Sequence, residues 1–274
     1  MIVTCSLNGQ ILPADKYTIA INDLGLLRGY AIFDFCRTAN KKPFLLPQYL
    51  TRFRNSARLM ELELDYTDEQ ITRTVYQLLK TSKLPFAGIR LLLTGGYTAD
   101  SFTPAKPNFL ITIEELSLVP EAVVENGVTL MGYAYQREMA EIKTTNYTVA
   151  LRLRKQLQQQ NAYDILYHSN GNILELTRSN FFIVKDNTII TAATNILKGI
   201  TRQTVLNLAE AQYKVEVREV KLIELAEADE AFLTGTNKKI IPVVQVDQQI
   251  IGDGKAGNVT RNLYQAFLDF ERSY

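Results

Sequence analysis

Apolar residues recur along this chain at two different spacings, every second residue in some stretches and every third or fourth in others. The order in which the two alternate limits what the chain can fold into. Residues 2–7, 9–13 and 30–46 read as short antiparallel strands, punctuated by the turn formers Asn8-Gly9 and residues 40–43 (NKKP). The spacing then changes. Leu50, Phe53, Ala57 and Met60 predict one amphipathic helix, and Ile71, Val75, Leu78 and Leu79 a second. Two β runs follow, at 87–94 (AGIRLLLT) and 108–115 (NFLITIEE), so residues 1–115 are expected to form a small α+β domain. The stretch 116–126 (LSLVPEAVVEN) is taken as the connection to a larger domain over 127–274. There the pattern predicts a strand at 127–135, a helix at 145–160, hairpins over 163–191, a helix at 202–212, short strands to 246 and a C-terminal helix at 257–272. That last helix buries Leu263, Phe267 and Phe270. No internal repeat or low-complexity tract interrupts this order, and the fold class is α+β with two domains.

Composition removes several classes of function. Thirty basic residues against twenty-nine acidic ones, dispersed along the 274 residues, leave no basic excess for nucleic acid. Cys5 and Cys36 have neither the number nor the spacing of a disulfide framework or a zinc site, and both are expected to be buried thiols. No window is apolar enough to span a bilayer, and the chain opens on an alternating strand rather than a basic leader, so a cytoplasmic location with no membrane partner is expected. The lone histidine, His168, precedes a hairpin turn and is read as a strand residue at the surface.

The chemistry gathers in four segments that follow one another in order: 143–147 (KTTNY), 175–182 (ELTRSNFF), 199–202 (GITR) and 234–236 (TGT). Upstream lie the glycine-containing segment 23–34 (DLGLLRGYAIFD) and the helix segment 49–53 (YLTRF). In this order they resemble the signature of the fold-type IV pyridoxal-phosphate enzymes, the class IV aminotransferases and their relatives. The resemblance runs over nearly the whole chain. It implies the two-domain fold of D-amino-acid aminotransferases, with a smaller N-terminal α/β domain and a larger C-terminal mixed β/α domain. It also implies pyridoxal 5′-phosphate as cofactor, and a homodimer whose subunits lend residues to each other's sites.

Residue by residue, the resemblance assigns Lys143 as the Schiff-base lysine that also shuttles the substrate's Cα proton. Glu175 would face the pyridine nitrogen, where a carboxylate favours the protonated ring. The Ile200 and Thr201 amides and the Thr201 hydroxyl, at a helix start, would hold the phosphate together with Arg52 and Thr236. Tyr147 is either a hydrogen-bond donor to the cofactor's phenolic oxygen or a core tyrosine.

Departures from the family pattern bear on substrate. The family's helix histidine is Tyr49 here, and its aspartate and glutamate in the glycine strand are Tyr30 and Asp34. Arg28 stands where branched-chain relatives place a tyrosine, and Gly88 replaces a bulky tyrosine that helps bind the substrate carboxylate. The arginine that D-amino-acid and aminodeoxychorismate members carry before a loop glycine is absent at Gly95-Gly96. Arg28 from a second subunit and Arg90 are therefore expected to clamp the substrate carboxylate next to Phe33, against the alternatives of an interface salt bridge for Arg28 and a structural ion pair for Arg90. The activity expected is transamination between an amino acid and a 2-oxo acid, with D-amino acids ahead of branched-chain L-amino acids. Two further readings stay open: a 4-amino-4-deoxychorismate lyase that releases pyruvate, and a non-catalytic dimer that binds the cofactor or a metabolite.

Overall fold

The computed structural model describes residues 1–13 and 15–274. Its contacts divide the chain into two units, residues 1–117 with 142–146 and Tyr274, and residues 118–141 with 147–273.

The first unit contains β1 (Ile2–Leu7), β2 (Gln10–Pro13), α1 (Leu24–Arg28), β3 (Ala31–Ala39), β4 (Lys42–Pro43), α2 (Leu46–Leu59), α3 (Asp68–Ser82), β5 (Ala87–Thr94) and β6 (Asn108–Glu115). The strands form one sheet in the order β2-β1-β6-β5-β3-β4, antiparallel at every pairing. Strand alternation sorts the residues onto two faces. Ile32, Asp34 and Cys36 of β3 share one face with Ile89, Leu91 and Leu93 of β5, all buried, and α2 packs on β3 while α3 packs on β1 and β6. The other face carries Phe33, Phe35 and Arg37, registered against Leu92, Arg90 and Gly88.

Local chemistry explains the helix ends. Thr67 and Gln70 form a reciprocal capping box at the start of α3. Asp23 caps α1 through the Gly25 amide while its second oxygen accepts from Thr94 and Asn108, which ties α1 to the ends of β5 and β6. The strands expected over 30–46 are β3 and β4, separated at the expected turn. A turn with positive φ at Asn40 and Lys41 leads into the two-residue β4, and α2 begins at Leu46 after Leu45 takes a left-handed backbone.

The second unit contains α4 (Glu121–Asn126), β7 (Val128–Ala134), α5 (Thr148–Arg152), α6 (Arg154–Gln159), β8 (Asp164–Ser169), β9 (Asn172–Leu176), β10 (Asn180–Lys185), β11 (Thr188–Ala192), α7 (Ile200–Ala209), β12 (Lys214–Arg218), β13 (Val220–Lys221), β14 (Glu230–Gly235), β15 (Lys239–Val246), β16 (Gln249–Ile250) and α8 (Asn258–Ser273). Its ten-stranded mixed sheet runs β12-β11-β10-β14-β15-β7-β8-β9-β13, with β16 on β15. Because β9 also pairs with β10 at Glu175 and Asn180, the path from β10 through β14, β15, β7, β8 and β9 returns to its start. Closure encloses a core that includes Leu130, Leu166, Ile183, Leu233 and Ile241. Outside it, α7 and α8 pack against β14, and α5, α6 and the residue between them supply Val149, Leu157 and Leu153 to a cluster with Met131, Ile165 and Tyr167.

Two helices expected from the sequence are corrected here. The helix expected over 145–160 starts only at Thr148, since the Thr145 amide is committed to the Ala31 carbonyl of β3, and it is interrupted at Leu153. The helix expected over 202–212 starts earlier, at Ile200, and ends at Ala209.

Candidate active site

In the first unit the lysine segment behaves as an extra edge to the sheet. The Phe33 amide donates to the Lys143 carbonyl at 2.9 Å and the Thr145 amide to the Ala31 carbonyl at 3.1 Å, with Ile32 and Thr144 bridged. The Lys143 amide faces the buried Ser56 hydroxyl of α2. A chain held by both neighbours cannot swing, so the lysine side chain leaves from a fixed point. Its Nζ lies 4.6 Å from the centroid of the Phe33 ring.

The same ring carries a second cation. The Arg90 guanidinium sits 5.3 Å from the Phe33 centroid and 5.1 Å from that of Phe35. Its Nε and Nη2 donate to the two oxygens of Glu114 at 2.6 and 3.0 Å. Burial alone would push the Glu114 carboxyl up, but the hydrogen bonds and charge of Arg90, with the Thr112 hydroxyl, outweigh it and hold the group below its ordinary value. Gly88 permits this arrangement: a Cβ there would meet the Phe35 ring at 2.5 Å, so the ring occupies the space a side chain at 88 would need. Of the two readings of Arg90 drawn from the sequence, this geometry favours the ion pair.

Arg52, on α2, is also paired bidentately, with the buried Asp34 at 2.9 and 2.6 Å. Arg28 ends α1 in solvent, its Nη1 donating to the Leu27 carbonyl, and Gly29 follows in the left-handed conformation. The first unit thus brings Lys143 and Arg90 to the ring of Phe33.

In the second unit the seam between β9 and β10 holds the polar groups. Glu175 is only 5 % exposed; it accepts from Arg137 Nε at 2.8 Å and from the Leu197 amide at 3.0 Å. Asn180, paired with Glu175 across the seam, donates to the Leu197 carbonyl. Two residues on, Gly199 caps α7 with no side-chain cap, so the first amides of the helix are open to an acceptor. Gly199 is required there, because a Cβ would lie 2.2 Å from Asn180 Oδ1. Thr201 and Arg202 are buried in this first turn, and burial draws the Arg202 guanidinium below its ordinary value. Thr234 Oγ1, at the end of β14, is buried without a hydrogen-bond partner. Thr236 is half-buried in the following turn, and Tyr147 is half-buried at the cap of α5.

Arg137 and Lys238 escaped the sequence reading. Lys238 binds Asp164 at 2.7 Å and the Ser179 hydroxyl at 3.0 Å, which fixes the turn after β14 to the one before β10. Both residues look like ordinary surface cations in sequence, and no local pattern joins Arg137 to Glu175. His168 lies half-buried on β8, and no cluster with metal-binding composition occurs among the described residues.

An antiparallel sheet with helices on one face and a closed mixed sheet with an uncapped helix start define an α+β fold also found in solved enzymes. The branched-chain amino acid aminotransferase of Thermobaculum terrenum, in its PLP-form, superposes with a TM-score of 0.88 at 23 % identity, over 99 % of this chain and 94 % of its own. That of Escherichia coli gives 0.90 at 23 %, over 98 % and 94 %. Among curated proteins, D-alanine aminotransferase of Staphylococcus haemolyticus is 28 % identical over 97 % of each chain. A putative branched-chain-amino-acid aminotransferase of Methanocaldococcus jannaschii is 29 % identical over 98 % of this chain and 96 % of its own. Residues 31–246 match the family Amino-transferase class IV, and the chain belongs to that family of enzymes.

Proposed function

We propose that this enzyme transfers the amino group of an amino acid to a 2-oxo acid with pyridoxal 5′-phosphate as cofactor, and that it works as a homodimer in the cytoplasm. One observation carries the reading. A buried carboxylate, Glu175, is tied through the Leu197 amide to the loop that ends in the uncapped start of α7. A cofactor with a protonated ring nitrogen and a phosphate needs that pair of features. The residues fit it. Glu175 is a carboxylate buried at the end of β9, Thr234 contributes an orphaned buried hydroxyl, and the first amides of α7 suit a phosphate.

On this reading Ile200, Thr201, Thr236 and Arg52 hold the phosphate, Glu175 the ring nitrogen and Tyr147 the phenolic oxygen. When bound, the cofactor supplies an electron sink for charge left at the substrate's Cα. Lys143 is the residue that would move the proton: its Nζ would take one from Cα of the amino donor and, in the return half-reaction, deliver one to Cα of the amino acid formed from the oxo acid. The ring of Phe33 limits where Nζ travels. Arg28, exposed at the end of α1, is the guanidinium offered to a substrate carboxylate in the neighbouring subunit. D-amino acids are favoured slightly over branched-chain L-amino acids, in line with the D-alanine aminotransferases among the relatives.

The test is the visible absorption of the protein with pyridoxal phosphate, followed as single L- and D-amino acids are added and oxo acid is assayed in the same tubes. Bleaching with one enantiomer, matched by oxo acid and abolished by Lys143→Ala, is the expected result. Repeated turnover of 4-amino-4-deoxychorismate to pyruvate with no acceptor present would mean a lyase. A bound cofactor that no amino acid alters would mean a non-catalytic dimer.

A further inference from the structure

The first turn of α7 carries a charge of the wrong sign for a helix start. Open amides and the aligned peptide dipoles make a helix N-terminus positive, so carboxylates are favoured there and cations are not. α7 has no acidic residue in its first turn and no side-chain cap, and its third residue is Arg202, only 4 % exposed. Two other largely buried arginines meet carboxylates: Arg52 has Asp34 at 2.6 Å and Arg137 has Glu175 at 2.8 Å. Arg202 has no such partner among the described residues. Its Nη2 donates to the Ala192 carbonyl at 2.9 Å, a neutral acceptor whose residue lies in an apolar cluster with Leu174 and Ile196. Its Nε is buried with no hydrogen-bond partner. A buried cation without a counter-charge is unfavourable by itself, and this one stands beside a second positive feature of the fold.

We propose that Arg202 is the counter-charge of a phosphate dianion held at the start of α7, acting through space from beneath the first turn. On the reading above, on which the proposal rests, that dianion is the phosphate of the cofactor. The Arg202 Cα stands two residues from Ile200, about 3 Å along the helix axis, so an anion on the first amides feels the guanidinium as well. A buried charge is little screened by solvent. Its bond to Ala192 fixes it in advance, so no rearrangement is needed when phosphate arrives. Arg52, given to the same phosphate above, brings the opposing charge of Asp34 with it; Arg202 brings none. Arg202 is a positioning residue: the amides bind the phosphate oxygens, and the guanidinium behind them makes the site prefer two negative charges to none.

The experiment measures Kd for pyridoxal phosphate and for pyridoxal, which lacks the phosphate, by absorption titration of the wild type, Arg202→Met and Arg202→Lys. In parallel, Tm of the cofactor-free proteins is followed with inorganic phosphate and with chloride at equal ionic strength. Arg202→Met should weaken pyridoxal phosphate at least about tenfold and leave pyridoxal within about twofold. Arg202→Lys, which keeps the charge, should keep most of the preference for the phosphorylated form. Phosphate should raise Tm of the wild type more than chloride does, and the excess should vanish in Arg202→Met. An arginine that served packing alone would weaken both forms together. A folded Arg202→Met protein with the wild-type ratio of the two Kd values overturns the proposal. A wild type whose Tm rises no more with phosphate than with chloride overturns it as well, which keeps the test decisive if the variant does not fold. Failure of the cofactor reading looks different: an excess of Tm with phosphate that depends on Arg202, in a protein that pyridoxal phosphate does not bind, would sink the cofactor and uphold the counter-charge.

Discussion

At the scale of single residues, several side chains act by what they exclude. Cys5 is buried, and burial pushes its thiol up to about 11; Cys36 is pushed further in the same direction, first by burial and then by Asp34. The thiolate is the reactive form, so at pH 8 both should resist a thiol reagent in the native protein and titrate as two equivalents after denaturation. Rapid modification of either under native conditions would contradict this burial. Glu175 shows how much of a residue's setting is nonlocal. Its own motif marks it, yet the cation that balances it, Arg137, lies 38 positions away in sequence.

Among elements, the start of α7 and the turn after β14 organise the second unit's polar groups. Gly199→Ala would drive a Cβ into Asn180 Oδ1 and displace the first turn of α7. We expect pyridoxal phosphate to bind at least tenfold more weakly and stability to fall by about 1–3 kcal/mol, as for other overpacked sites. Unchanged cofactor affinity would argue against a phosphate at this helix start. The Lys238–Asp164 pair joins the turn after β14 to the start of β8, with both side chains largely buried. Lys238→Met leaves Asp164 without its cation, a change that costs about 3 kcal/mol or more at buried pairs, measurable by urea unfolding. A loss below about 0.5 kcal/mol would place that pair with the inert surface bridges. The one-turn helices α5 and α6 show the limit of periodicity. The apolar spacing through 145–160 is helical, but the backbone at Thr145 is already bonded to β3.

For the whole molecule, the proposed dimer and cofactor make two joint expectations. Sedimentation should give twice the mass of one chain. Pyridoxal phosphate at a hundred times its Kd should add about 2.7 kcal/mol, raising Tm by roughly 5–10 °C for a chain of this size. A monomeric mass, or a Tm indifferent to the cofactor, would count against the respective proposal. No helix among the described residues is long and apolar enough to cross a membrane.

What the sequence determined by itself was whatever depends on neighbours along the chain. The periods of α2, α3, β5 and β6 mark their elements closely, because side-chain spacing on a helix or strand is a local property. The ordered segments around Lys143, Glu175, Gly199 and Thr236 identify the family, because that chemistry needs particular residue types at short spacing. Tertiary structure alone decided the rest. It closed the second sheet at Glu175 and Asn180, assigned residues 142–146 to the first unit, gave Glu175 to Arg137 and occupied Arg90 with Glu114. Each of these joins groups far apart in sequence, and which cation meets which carboxylate is set by the packing of sheets and helices, for which no local pattern codes.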